Sequence, residues 1–96
     1  MPDKLSDDEV QERLGELVGW DLVDGKLHRD YKFTNFVEAM GFMMRAGIEA
    51  EKMNHHPEWF NVYNKVNVDL TTHSARGITR LDFELAATMN QLASVD

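Results

Sequence analysis

An Asp24-Gly25 dipeptide between two runs of alternating character decides much of what this chain can become. A tight hairpin turn needs positive φ at both central residues, and Asp followed by Gly meets that need at low steric cost. The turn predicts strands over residues 20–23 and 26–33, with Leu22 opposite Leu27. Trp20, Leu22, Leu27, Tyr31 and Phe33 then share one face of a sheet. Arg29 falls on that face too and breaks the alternation, which points to a rim position.

Helix signals flank this hairpin. Ser6 with Glu9 forms a capping-box pattern, Leu5 and Val10 sit as a hydrophobic staple, and Asp7 and Asp8 suit a positive helix end. Val10, Leu14 and Leu17 give that helix one apolar stripe, which ends around residues 15–19. Asn35 with Glu38 opens a second helix running to about Met53. Residues 59–73, rich in Val, Tyr, Phe and Thr, read as a second hairpin turning near Asn64 and Lys65. Gly77 breaks the chain, and Thr79 with Asp82 caps a final helix striped by Leu81, Leu85, Met89 and Leu92. The order α-β-β-α-β-β-α predicts one α+β domain over residues 1–96: a four-stranded antiparallel sheet with three helices on one face.

The second helix is apolar on two sides. Phe36, Met40, Met43 and Gly47 form one line, Val37, Met44 and Ile48 another, with Phe42 beside them. A chain of 96 residues builds one core, so a second apolar side predicts burial between subunits, with Gly41 and Gly47 permitting close approach. The competing reading is a single wide core face. A homo-oligomer, dimer or tetramer, is expected.

Composition narrows the function. Ten basic against seventeen acidic residues give a net charge of −7, the wrong sign for direct contact with nucleic acid. The absence of cysteine excludes thiol nucleophiles and cysteine-ligated metals. No apolar stretch suggests export or a membrane span, so a cytoplasmic location is expected.

That leaves four histidines. His55-His56-Pro57 sits where the second helix gives way to the third strand, and Pro57 pushes His56 into an extended conformation. The two imidazoles should therefore point to opposite sides. A two-residue loop at Asn64 and Lys65 places His56 opposite His73. A three-residue loop that includes Tyr63 places His55 there and puts Phe60 and Val62 on the face of Val66, Val68 and Leu70, the better pattern. Either way, His73 joins the pair. Three imidazoles suit acid–base chemistry near neutral pH, with Glu51 and Glu58 near enough to tune them. They would equally serve as a three-histidine zinc site with an open position, or as hydrogen-bonding groups at strand ends. Trp20 and Trp59 offer aromatic surface for a flat ligand or simple sheet packing. Asp82 reads as a cap rather than a catalyst, and His28 as a surface residue.

The segment from residue 49 to 86, EAEKMNHHPEWFNVYNKVNVDLTTHSARGITRLDFELA, closely resembles the pterin-4a-carbinolamine dehydratases, also known as dimerisation cofactors of a homeodomain transcription factor. Glu51, His55, His56, Pro57, Tyr63, His73 and Asp82 match the family's pattern in order and spacing. The resemblance covers nearly the whole chain, weakening over the first dozen residues. It implies dehydration of a 4a-hydroxytetrahydropterin to quinonoid dihydropterin, in regeneration of tetrahydrobiopterin, without a metal or other cofactor. It further implies His55 as main general acid, His73 as a second acid–base group and His56 as a pterin holder. Glu51, Trp20 and Trp59 would lie at the substrate. Its partners would be a pterin, further copies of the chain and, for a coactivator role, another protein. Asn54 departs from the Asp of mammalian members and removes a charge beside the histidines, which predicts a lower working pH.

Overall fold

Helix caps form as the sequence implies. Glu9 N donates to Ser6 Oγ at 3.2 Å and Ser6 N donates to Glu9 Oε1 at 2.9 Å, closing the capping box of α1 (Asp7–Leu14). Asn35 Oδ1 accepts from Glu38 N at 2.9 Å and starts α2 (Phe36–Met53). The computed structural model describes residues 2–93, in the order α1, β1 (Asp21–Val23), β2 (Lys26–Lys32), α2, β3 (Glu58–Val62), β4 (Lys65–Leu70), a short 3₁₀ turn (His73–Ala75) and α3 (Arg80–Ala93). The four strands form one antiparallel sheet, β1-β2-β4-β3, and the expected α+β class holds. Asp24 and Gly25 take φ of 51° and 77°, so Leu22 pairs with Leu27 as the turn chemistry requires.

The inner face of the sheet presents Leu27, Tyr31, Val66, Val68 and Leu70 to α2 and α3. The inward stripe of α2 is Ala39, Phe42, Ala46 and Ala50, all fully buried. Three alanines bring its backbone close, and Phe42 fills the space between, with ring centroids 4.9 Å from Tyr31 and 5.0 Å from Phe33. The two apolar lines read from the sequence are therefore not the core line. Phe36, Val37, Met40, Met44 and Ile48 stay exposed. Gly47 faces Trp59 of the same chain, which would lie 3.8 Å from an added Cβ.

The second hairpin departs from expectation by one residue. Its loop is Tyr63 and Asn64, so Val62 pairs with Lys65 and Glu58 with Asp69. Tyr63 adopts φ 51°, and Asn61 Nδ2 donates to the carbonyls of Tyr63 (3.1 Å) and Lys65 (2.8 Å), tying the turn. A left-handed tyrosine is uncommon, which is why residue preferences misplace the loop. One residue of slip exchanges faces. Phe60 and Val62 thus lie on the outer face with much of their surface exposed, not among the core valines. β4 also stops at Leu70, and His73 opens the 3₁₀ turn instead of ending a strand.

Candidate active site

The end of α2 aims the paired histidines. Asn54 takes the left-handed conformation (φ 52°, ψ 43°), its N–H bonds Glu51 O at 3.0 Å, and His55 N bonds Ala50 O at 3.0 Å. This is a Schellman ending, in which Asn is among the few tolerated side chains after Gly. The chain reverses there, and extended geometry before Pro57 then separates the two rings. His55 is buried at 8% exposure, while the His56 side chain is 58% exposed.

His55 Nε2 lies 2.6 Å from Asp82 Oδ1. Asp82 is fully buried, and its Oδ2 accepts from Thr72 Oγ1 (2.8 Å) and Thr79 N (2.9 Å). Thr79 Oγ1 reaches Thr72 Oγ1 at 2.8 Å and accepts from Leu81 N at 3.2 Å, completing the start of α3. Asp82 therefore does two jobs, helix cap and histidine partner, where the sequence suggested only the first. A buried carboxylate is tolerable because every lone-pair direction it uses meets a donor.

The other two histidines repeat the pairing at the surface. His56 Nε2 lies 2.7 Å from Glu51 Oε1, and His73 Nε2 lies 3.0 Å from Glu58 Oε2. Glu58 Oε1 accepts from Lys26 Nζ at 2.7 Å. The Lys26 ammonium, with help from His73, holds the Glu58 carboxyl below its ordinary range, and Glu58 in turn raises Lys26. In each pair the carboxylate can only accept, so Nε2 carries the proton and Nδ1 is the nitrogen left for a ligand. Short links join the three: Thr72, next to His73, shares Asp82 with His55, and Glu58, two residues from His56, holds His73. Neither expected register applies, because the ladder pairs Val62 with Lys65 and Glu58 with Asp69, and Thr72 bridges Gly77 instead of continuing it. Among the described residues, no three His, Asp or Glu side chains are grouped as a metal would require.

Residues 3–92 match the family model described as pterin 4 alpha carbinolamine dehydratase. The chain is 57% identical over 94 residues to a protein of Solibacter usitatus, covering 98% of this chain and 99% of that one. It is 50% identical over 95 residues to one of Sinorhizobium fredii, covering 97% and 90%. Both relatives are provisionally named pterin-4-alpha-carbinolamine dehydratases. A crystal structure from Brucella melitensis, called a transcriptional coactivator/pterin dehydratase, superposes with a TM-score of 0.93 at 48% identity, over 96% of this chain and all of that one. The chain belongs to the pterin carbinolamine dehydratase family. No helix among its described residues is long and apolar enough to cross a membrane.

The tryptophans separate. Trp59 is partly buried on the inner face of β3 against Gly47 of α2. Trp20 is buried at 4% exposure, its indole N–H bonded to Asn90 Oδ1 at 2.9 Å, and no hydrogen bond or ring contact joins it to the histidines. Asn90 Oδ1 also accepts from Arg29 Nη1 (2.8 Å) and Tyr31 Oη (2.6 Å), and its Nδ2 donates to Val18 O (2.9 Å). Burial pushes the Tyr31 hydroxyl up to about 12. Arg29 stands mid-strand on β2 opposite Val68, and its guanidinium lies over the Tyr31 ring at 4.4 Å and against Gly19. A concavity of about 620 Å³ beside Arg29 and Asn90 contains none of the histidines. A polar residue late in a helix carries no sequence sign of such a hub. His28 was also underread: its Nδ1 lies 2.8 Å from Asp69 Oδ1 and its Nε2 2.8 Å from Asp30 Oδ1, on the outer face of the sheet.

Proposed function

We propose that this family member dehydrates a 4a-hydroxytetrahydropterin to quinonoid dihydropterin by histidine acid–base catalysis, serving tetrahydrobiopterin regeneration. The observation that carries the reading is the repeated pairing: three imidazoles linked through shared neighbours, each with one carboxylate on Nε2 and, among the described residues, no hydrogen bond at Nδ1. Elimination of water needs one group to protonate the departing 4a-hydroxyl as the C–O bond breaks and another to accept the ring N–H proton. His55 is assigned the first task, because buried Asp82 accepts from Nε2 and fixes the ring with Nδ1 left for the ligand. His73 is assigned the second, and His56, oriented by Glu51, holds the pterin. Trp59 is kept as a candidate aromatic surface, and Trp20 is assigned to packing.

The test is stopped-flow decay of a chemically generated 4a-hydroxypterin. Acceleration by the parent and its loss in His55→Ala and His73→Ala support the reading, and a parent that leaves the decay unchanged removes it.

A second reading rests on α2, where Val37, Met44 and Ile48 are 74%, 63% and 55% exposed. Such a ridge suits self-association into a homodimer or homotetramer, or a protein partner of the kind a coactivator would need. Light scattering across micromolar concentrations decides self-association, and a single monomer mass would refute it.

A further inference from the structure

Among the carboxylates that hold the three site histidines, Glu58 alone is divided between two basic side chains. Its two oxygens are divided between a site histidine and a lysine from another strand: Oε2 with His73 Nε2, Oε1 with Lys26 Nζ. It stands on β3 beside Asp69 of β4, and Lys26 comes across from β2, so three strands meet behind the imidazole. His73 itself sits on a 3₁₀ turn with a highly exposed side chain. That turn is anchored by backbone bonds from Ala75 N to Thr72 O (3.1 Å) and Arg76 N to His73 O (3.1 Å), which leave the ring orientation undetermined.

We propose that Glu58 is the positioning residue of His73 and that Lys26 sets how much of the Glu58 charge the imidazole receives. This rests on the acid–base role assigned to His73 above and deepens it. Glu58 touches no substrate in this scheme. It fixes which nitrogen of His73 bears the permanent proton, leaving Nδ1 to exchange one with the ligand, and it steadies the imidazolium when that forms. Lys26 competes for the same carboxylate. Other charges near the pair are Asp69 and Asp24, which act on Lys26, and Arg76 in the turn of His73. None of them shares a hydrogen bond with the His73 ring.

The two partners of Glu58 make opposite predictions. A carboxylate accepting from Nε2 favours the tautomer protonated there, and a competing ammonium weakens that effect. In the unliganded protein, nitrogen NMR of the His73 ring should show less of the Nε2–H tautomer in Glu58→Gln and more in Lys26→Met. Glu58→Asp should restore part of the parent behaviour. The rate of 4a-hydroxypterin dehydration should change in the same two directions. Tautomer populations that match the parent in both Glu58→Gln and Lys26→Met would overturn the proposal. Opposed tautomer changes with an unmoved dehydration rate would uphold the positioning and remove the catalytic role of His73.

Discussion

The three histidines at the α2–β3 junction and the 3₁₀ turn differ in one count from the fourth, on the outer face of the sheet. His55, His56 and His73 each meet one carboxylate, through Nε2. His28 meets two, Asp69 on Nδ1 and Asp30 on Nε2, and Asp30 is held further by Asn67 Nδ2 at 2.5 Å. A neutral imidazole has a single N–H, so satisfying two carboxylates requires the imidazolium. One carboxylate orients a ring and leaves it a nitrogen with which to react. Two carboxylates turn the ring into a cross-link between β2 and β4. In the proposed scheme, chemistry and structure are separated by the number of partners, not by burial, since His55 is the most buried of the four and His73 the most exposed.

The largest test of the single-partner arrangement is at Asp82. Asp82→Ala strips His55, Thr72 and the Thr79 N–H of one shared acceptor inside the fold. Leaving buried donors without their acceptor costs about 1–3 kcal/mol each, to be read from urea midpoints. Asp82→Asn keeps the volume and loses less stability, yet activity should fall about 100-fold or more, because an amide that can donate no longer fixes the proton on His55 Nε2. Equal retention of activity in Asp82→Asn would show that His55 needs only orientation. The surface members come next: His56→Ala and His73→Ala should change stability by less than about 0.5 kcal/mol. Their catalytic loss should exceed that by far, on the order of 100-fold for His73.

Accessibility of a ring nitrogen gives a smaller, chemical comparison. Diethyl pyrocarbonate acylates an unprotonated imidazole nitrogen, so mass spectrometry near neutral pH should find His56 and His73 modified first and His28 spared. Asp69→Asn gives His28 the single-carboxylate arrangement and should bring its reactivity toward theirs. Equal rates for His28 in parent and variant would break the distinction between cross-link and reactive ring.

These roles were unequally legible beforehand. Local rules located every helix, because caps such as Ser6, Asn35 and Thr79 act within three residues of themselves. The Asp24-Gly25 hairpin was readable for the same reason, and so was the opposite orientation of His55 and His56, which Pro57 enforces. The second hairpin was not, because Tyr63 occupies a conformation that its residue type resists and Asn61 stabilises from outside the loop. The inner stripe of α2 was hidden by size: three alanines carry the core contact, while larger Val37, Met44 and Ile48 lie outside. Partners distant in sequence left no trace at all. Glu58 with Lys26 and His28 with Asp69 depend on strand order, β1-β2-β4-β3, and Asn90 with Trp20 on where α3 lies, which neither caps nor alternation encode.

The pH dependence of stability should sharpen the comparison last and least. Hydrogen bonding to Asp69, with the nearby charge of Asp30, raises the His28 ring above its ordinary value, and Asp30 is lowered, first by Asn67 and then by His28. A raised folded-state value means that the native protein holds this proton more tightly than the unfolded chain does. The stabilisation is therefore fully present below the unfolded value near 6.5 and is lost as pH rises through the folded value. At the acid end it fades again once the two aspartates protonate. For a ring whose side chain is 25% exposed, the gain should be under about 1 kcal/mol. Urea midpoints of parent and His28→Gln should consequently differ most around pH 5–6 and converge toward mildly alkaline pH, as the ring loses its second proton and one aspartate is left facing a lone pair. A difference independent of pH over that range would mean that His28 contributes packing alone, and the two-carboxylate cross-link would lose its electrostatic basis.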